Sequence, residues 1–171
     1  MPNTVPDSID PWRLVQARRV FEGTIPLRQM ERLVGLLAAP TGDAVYRIEF
    51  GKDDFDIACA DLRVDAGLSL VCQRTMQVFV QPVRIDQRLG LIRDEGQEAA
   101  LPEGYEALLV ENGQLRLKDV IEDELILALP LVALSPGAPL EQIPLSSGSV
   151  PEIDRPPNPF AVLGQLKKTK H

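Results

Sequence analysis

The 171-residue chain is expected to fold as α+β: a curved antiparallel sheet, partly barrel-like, packed by two helices, with a Pro-rich arm and a short C-terminal helix. Three observations predict this. From Val45 onward apolar and polar residues alternate, the period of a half-buried strand. The alternating runs are short and separated by polar turns, as in an antiparallel meander. Segments 26–39 and 118–129 instead carry apolar residues at three- and four-residue steps, the helical period. The expected organisation is a domain over 1–134, a Pro-rich linker over 135–158, and a short helix with a basic tail over 159–171.

Element by element, Asp10 followed by Pro11 fits a helix N-cap with proline at the first helical position. The next residues, WRLVQARRVF, are mixed in period and compatible with a helix or an extended form. IPLRQMERLVGLLAA places Leu27, Met30, Leu33, Val34 and Leu37 on one helical face, and Pro40, Thr41 and Gly42 end it. Tyr46, Ile48 and Phe50 then alternate with Arg47 and Glu49. GKDD reads as a turn, FDIACADLRV as a strand, and Asp65, Ala66 and Gly67 as a second turn. LSLVC and TMQVFVQPVRI read as two strands around Gln73-Arg74, with Pro82 favouring an edge or a break. Segment 93–106 is acidic and carries Gly and Pro, so it is expected as an exposed loop. YEALLVENGQLRL predicts a hairpin around Asn112-Gly113. Segment 135–159 holds seven of the fifteen prolines and reads as an extended linker. In the tail, Phe160, Leu163 and Leu166 form an apolar stripe, and Lys167, Lys168 and Lys170 complement a helix C-terminus.

The segment DVIEDELILALPLVAL joins acids to an apolar run. Acids in a first turn face the positive end of the helix dipole, a gain of a few tenths to about 1 kcal/mol. Glu122, Asp123 and Glu124 read first as dipole compensation on a solvated face. A metal or acid/base cluster is the sharper alternative, but no His accompanies them and adjacent helix positions do not converge. A third reading makes Glu122 and Asp123 a docking surface for a basic partner. Glu124 lies toward Val120, Ile121 and Ala128, so it needs a partner or a route to water.

Composition excludes several function classes. The length suits one domain with a core. Net charge is −7, against a generic nucleic-acid binder, and aromatics at 5% leave little material for base stacking. A local basic patch remains compatible with that sum, and Arg13, Arg18 and Arg19 form one. The opening MPNTVPDSID has neither a basic start nor an apolar run of signal-peptide type. No apolar run approaches the roughly 18–20 residues that span a bilayer. The chain thus reads as soluble and cytoplasmic, with no membrane partner. His171 is the sole histidine and the last residue, which argues against a held catalytic imidazole. Neither phosphate-loop pattern occurs. Cys72-Gln73-Arg74-Thr75 lacks the second thiolate of a zinc knuckle, so Cys59 and Cys72 read as buried structural residues. No metal, cofactor or small-molecule substrate is expected.

The chain also resembles the YceD-type large ribosomal RNA subunit accumulation proteins of bacteria. The matching pieces are IDPWRLVQARRVFEGTIPL, LSLVCQRTMQVFV, LPEGYEALLVENGQLRL, KDVIEDELILALPLVAL and NPFAVLGQLKK. They span most of the chain in the expected order. IEDELILALPLV and NPFAVLGQLK are together quite specific. The resemblance implies ribosome biogenesis: a role in synthesis, processing or stability of 23S ribosomal RNA, without enzymatic activity. Many members read CxRC where this chain has Cys72 to Thr75, and often carry another Cys after the LPLVPL run. This chain departs at both places, which sets any metal role in that region aside for it.

The expected partner is therefore ribosomal RNA or a large-subunit precursor, bound through Arg13, Arg18, Arg19, Lys167, Lys168 and Lys170. The alternative is a protein-binding module that docks or chaperones a basic ribosomal protein, since segment 94–124 holds ten acids against two bases. A hydrolase is the third class, and its signature would be Glu124 and Glu106 facing each other in an open cleft.

Overall fold

Strand formation follows the two-residue alternation. A computed structural model describes residues 8–137. The expected C-terminal helix, its lysines and nearly all of the Pro-rich linker lie outside the described residues. The order is α1 (Pro11–Gln16), β1 (Val20–Pro26), α2 (Glu31–Val34), β2 (Asp43–Lys52), β3 (Ala58–Val71), β4 (Val78–Ile92), β5 (Glu106–Leu109) and α3 (Leu117–Leu127). In β2, Ala44, Tyr46, Ile48 and Phe50 are buried while Val45, Arg47 and Glu49 face solvent. In β3, Ala60, Leu62, Val64, Leu68 and Leu70 continue that inner face.

The strands form one sheet in the order β1-β2-β3-β4-β5. The first three pairings are antiparallel, and the last, β4 with β5, is parallel. The all-antiparallel, partly barrel-like sheet expected from sequence is thus corrected: the sheet is mixed and open. Residues 93–105 carry the chain back to the level of Leu89, as a parallel neighbour requires. Asn112 and Gly113 do turn through left-handed backbone, with φ of 52° and 70°. The segment after that turn does not fold back on β5. Leu115 instead bridges antiparallel to Ile9, and the chain enters α3.

Two further expectations shift. Asp65, Ala66 and Gly67 are not a turn but the middle of β3, paired with Arg84, Val83 and Pro82. A Cβ on Gly67 would lie 3.1 Å from Val80, so a close approach uses this glycine. The helix expected over 26–39 is reduced to a 3-10 turn at Leu27–Gln29 and the single turn of α2. Leu27, Met30 and Leu33 bury their side chains as the helical period demanded. Propagation stops at Gly35, and the following backbone goes to the sheet: Ala38 N–H donates to Ser69 O at 2.8 Å. A short helix has little cooperative gain to oppose such tertiary bonds.

α3 matches its expected span closely. Leu117, Val120, Ile121 and Leu125 pack with Leu27, Met30 and Leu33 over the inner face of the sheet. Each such side chain removed from water contributes roughly 1.5–3 kcal/mol. The opposite face is ruled by charge. Arg84 meets Asp65 at 2.7 Å, Arg88 meets Asp61 at 2.6 Å, Arg63 meets Asp86 at 3.3 Å, and Arg47 reaches Glu22 and Glu49 at 3.2 Å. From Val78 to Arg88, β4 has β3 on one side and no strand on the other among the described residues, and Pro82 sits in that stretch.

Candidate nucleic-acid interface

The Arg13, Arg18 and Arg19 group is built by α1 and the way it ends. Asp10 caps the helix, its Oδ1 accepting from Trp12 N–H at 3.0 Å and Arg13 N–H at 3.2 Å. Pro11 occupies the first turn, where a missing N–H costs nothing. Arg13 is exposed and pairs loosely with Asp10 at 3.5 Å. At the other end Arg19 N–H donates to Leu14 O at 3.1 Å and Arg18 N–H donates to Val15 O at 3.2 Å. These two bonds form a Schellman cap, whose left-handed residue is ordinarily glycine. Here it is Arg18, with φ of 47°. The left-handed region costs a side-chain-bearing residue about 1–2 kcal/mol. Arg18 and Arg19 are exposed, and neither has an ion-pair partner among the described residues. Arg93 lies 4.5 Å over the ring of half-buried Trp12.

Arg18 reaches a polar cleft of about 250 Å³ beneath the β2–β3 turn. Cys59, Asp53, Asp54, Asp61 and Arg88 line it with Arg18. Asp53 organises the turn. Its Oδ1 accepts from Phe55 N–H at 2.9 Å and Ile57 N–H at 2.8 Å, and its Oδ2 accepts from Tyr105 O–H at 2.7 Å. The Tyr105 hydroxyl, with those N–H groups, holds the Asp53 carboxyl below the ordinary range, and Asp53 in turn pushes the Tyr105 phenol up. Burial, with nearby Asp61, raises the Cys59 thiol. Arg88 stacks over Tyr105 at 5.7 Å.

Sequence reasoning missed the most exposed feature of this corner. Phe55 is 80% exposed at the tip of the turn. Read as the first apolar residue of a strand, it carried no signal of display. A scarcity of aromatics argued against stacking platforms, yet one aromatic stands open to solvent beside the basic corner.

The other predicted residues separate. Lys167, Lys168 and Lys170 lie outside the described residues. Glu122 is not the solvated acid expected from the sequence. It is 2% exposed, and its Oε1 accepts from the backbone N–H of Arg32 at 2.6 Å and of Leu33 at 3.0 Å. Met30, the N-cap of α2, provides no side-chain cap, and Glu122 replaces it from another helix. Arg32 pairs with Glu122 at 3.3 Å and also with Asp123, which is exposed. Glu124 is half-buried, and burial, with the charges of Glu106 and Asp123, raises its carboxyl. Glu106 is exposed and accepts from Gln87, and neither glutamate lines the cleft beside Arg18.

The β3–β4 turn gathers Cys72, Thr75 and Ser135. Cys72 is buried, and Ser135 N–H points at its Sγ at 3.4 Å. That bond, with the Thr75 hydroxyl and the N–H groups of Thr75 and Arg74, lowers the thiol to about 6. Among the described residues no group of three or more His, Cys, Asp or Glu side chains is placed to hold a metal ion. No helix among them is long and apolar enough to cross a membrane.

A family model described as "Large ribosomal RNA subunit accumulation protein YceD" matches residues 60–167. The chain belongs to the YceD family. A curated relative of that same description, from Haemophilus influenzae, is 32% identical over 168 residues, which cover 96% of this chain and 97% of the relative. The shared length takes in both the α1 corner and the YceD-matched segment from β3 onward. No solved structure matches the chain.

Proposed function

We propose that the protein is a ribosome-biogenesis factor that supports synthesis, processing or stability of 23S ribosomal RNA by binding that RNA or a large-subunit precursor. Family membership supports the ribosomal part of this reading. The single observation behind direct binding is the uncompensated charge at the α1 corner. The exposed arginines of the sheet, Arg47, Arg63, Arg84 and Arg88, are each matched by a carboxylate, whereas among the described residues Arg18 and Arg19 are not. Positive charge left free in a chain of net −7 is available to phosphate. Arg13 joins them, and Lys167, Lys168 and Lys170 extend the same chemistry along the sequence.

The test is salt dependence. Each phosphate contact to single-stranded RNA contributes about 0.7 to the slope of log affinity against log salt. Reversing both charges, Arg18→Glu with Arg19→Glu, is expected to flatten the slope by about 1.4 and to remove the protein from large-subunit precursors in sucrose gradients. Unchanged affinity, slope and sedimentation in that variant would defeat the reading.

A second reading has an observation of its own. Asp94, Glu95, Glu98, Glu103 and Glu111 are exposed, with no ion-pair partner among the described residues. Such a face suits a basic ribosomal protein. Crosslinked complexes that survive nuclease and contain a ribosomal protein favour this second partner, and recovered RNA fragments favour the first. Neither reading includes a catalytic step.

A further inference from the structure

Two charged groups line one cleft without ion-pair partners among the described residues, and an exposed aromatic follows one of them in the chain. Arg18 is an exposed cation held in left-handed backbone at a helix end. Asp54 is an exposed carboxylate with no hydrogen bond or ion pair among the described residues. Phe55 is the next residue of the same turn and is 80% exposed, while Asp54 lines the cleft with Arg18. The turn carrying the pair is firmly fixed. Besides the three bonds to the Asp53 carboxylate, Asp53 N–H donates to Ile57 O at 3.1 Å and Asp56 N–H donates to Asp53 O at 3.1 Å. Lys52 Nζ adds a bond to Asp56 at 2.7 Å. The backbone that carries Phe55 is therefore held in one place rather than left in a loose loop.

The charge layout narrows what can enter. Arg18, Lys52 and Arg88 on the cleft wall disfavour an inserted lysine or arginine. Four carboxylates, Glu49, Asp53, Asp54 and Asp61, disfavour an isolated phosphate cluster. A ligand that is anionic at one end and rich in N–H donors at the other satisfies both. About 250 Å³ falls below the roughly 300–1,000 Å³ of drug-sized sites, a scale suited to one planar base.

We propose that this cleft receives one unstacked nucleotide of single-stranded RNA: its base stacks on Phe55, its phosphate meets Arg18, and its N–H donors meet the Asp54 carboxylate. Guanine is the preferred base, because its N1–H and N2–H lie side by side and match a carboxylate's two oxygens. Unpaired bases are read in this way, by stacking and by their hydrogen-bonding edges. The inference rests on the RNA-binding reading above and adds to it a defined subsite and a base preference. It also accounts for an arginine where the cap would accept glycine at lower cost, since strained residues gather where a side chain is used.

The experiment measures fluorescence anisotropy of short labelled single-stranded RNAs, one uridine-only and one carrying a central guanine run, on the full-length protein. Thermal melting of each variant is followed in parallel. Arg18→Gly is expected to melt no lower than the parent, because glycine fits the left-handed cap, and yet to bind about tenfold more weakly. Phe55→Ala is expected to lose about tenfold or more, the usual worth of one stacked base. Asp54→Asn is expected to reduce the preference for the guanine-run RNA over the uridine RNA. If Arg13→Ala and Arg19→Ala weaken binding while Arg18→Gly, Phe55→Ala and Asp54→Asn leave it unchanged, the subsite is wrong and the broader RNA reading stands. If the unaltered protein binds neither RNA, both fall. Loss of binding in Arg18→Gly that tracks a lowered melting temperature also overturns the assignment, since it then reflects folding.

Discussion

Removing the Glu122 carboxylate strands two backbone N–H groups at the start of α2 and leaves Arg32 with Asp123 and the Asp119 carbonyl. Hydrogen bonds to a charged group contribute about 1.5–3 kcal/mol each, and a buried donor left unpaired costs a similar amount. Glu122→Ala is therefore expected to destabilise by about 3 kcal/mol, read as a lower urea midpoint at unchanged slope. Its neighbour gives the control: Asp123→Ala, on an exposed pair, should change stability by less than about 1 kcal/mol. Glu124 makes the opposite case. Its folded-state carboxyl is raised, so its contribution to stability is fully present below its ordinary value of 4.5 and is lost as pH rises through the folded value. Glu124→Gln should then raise the melting temperature at pH 7 and leave it unchanged at pH 3, as scanning calorimetry across pH will show. The half-burial of Glu124 and the exposure of Asp123 follow from the acid run itself, but the capping role of Glu122 does not. Glu122 and Arg32 stand 90 positions apart, and only the packing of α3 on α2 turns one acid of a row into a cap.

At the scale of the element, the β3–β4 turn gives a pH-dependent signature. Cys72 sits at about 6 in the folded protein against an ordinary 9.0, because Ser135, Thr75 and Arg74 aim donors at its sulfur. A depressed value means stability present above the unfolded value and lost as pH falls through the folded one, here between 9 and about 6. Ultraviolet thiolate absorbance is expected to titrate near 6 in the native protein, and Cys72→Ala should remove that step. The elements also show what was legible in the sequence. Strong period-two runs gave β2 and much of β3 and β4, and the apolar stripe behind the acid run gave α3. Residues 65–67 looked like a turn because Asp, Ala and Gly are weak strand formers, but cross-strand pairs with Arg84, Val83 and Pro82 override that propensity. The helix of 26–39 had the right buried residues and the wrong backbone, since bonds to Ser69 lie beyond a local pattern. At the site, the clustered arginines were visible as charge. The left-handed Arg18 was not, because a Schellman cap is ordinarily announced by glycine.

Across the whole molecule, charge is arranged rather than merely summed. The sheet's outer face is neutralised pair by pair, the 94–111 segment is left acidic, and the α1 corner is left basic. Surface pairs are screened by salt and contribute about 0–1 kcal/mol each. Raising ionic strength should therefore shift the unfolding midpoint little while cutting the proposed RNA affinity steeply, a divergence that paired denaturation and binding titrations will reveal. The incompletely covered β4 has a different consequence. Among the described residues no strand pairs with Val78–Arg88 on that side, and an unpaired row of peptide groups is a template on which another polypeptide can zip itself into place, a growth with no natural stopping point. Proline has no N–H to lend an incoming strand, so Pro82 acts as a brake on polymerisation. Replacing it with threonine should leave the monomer folded and let concentrated solutions creep toward fibrils.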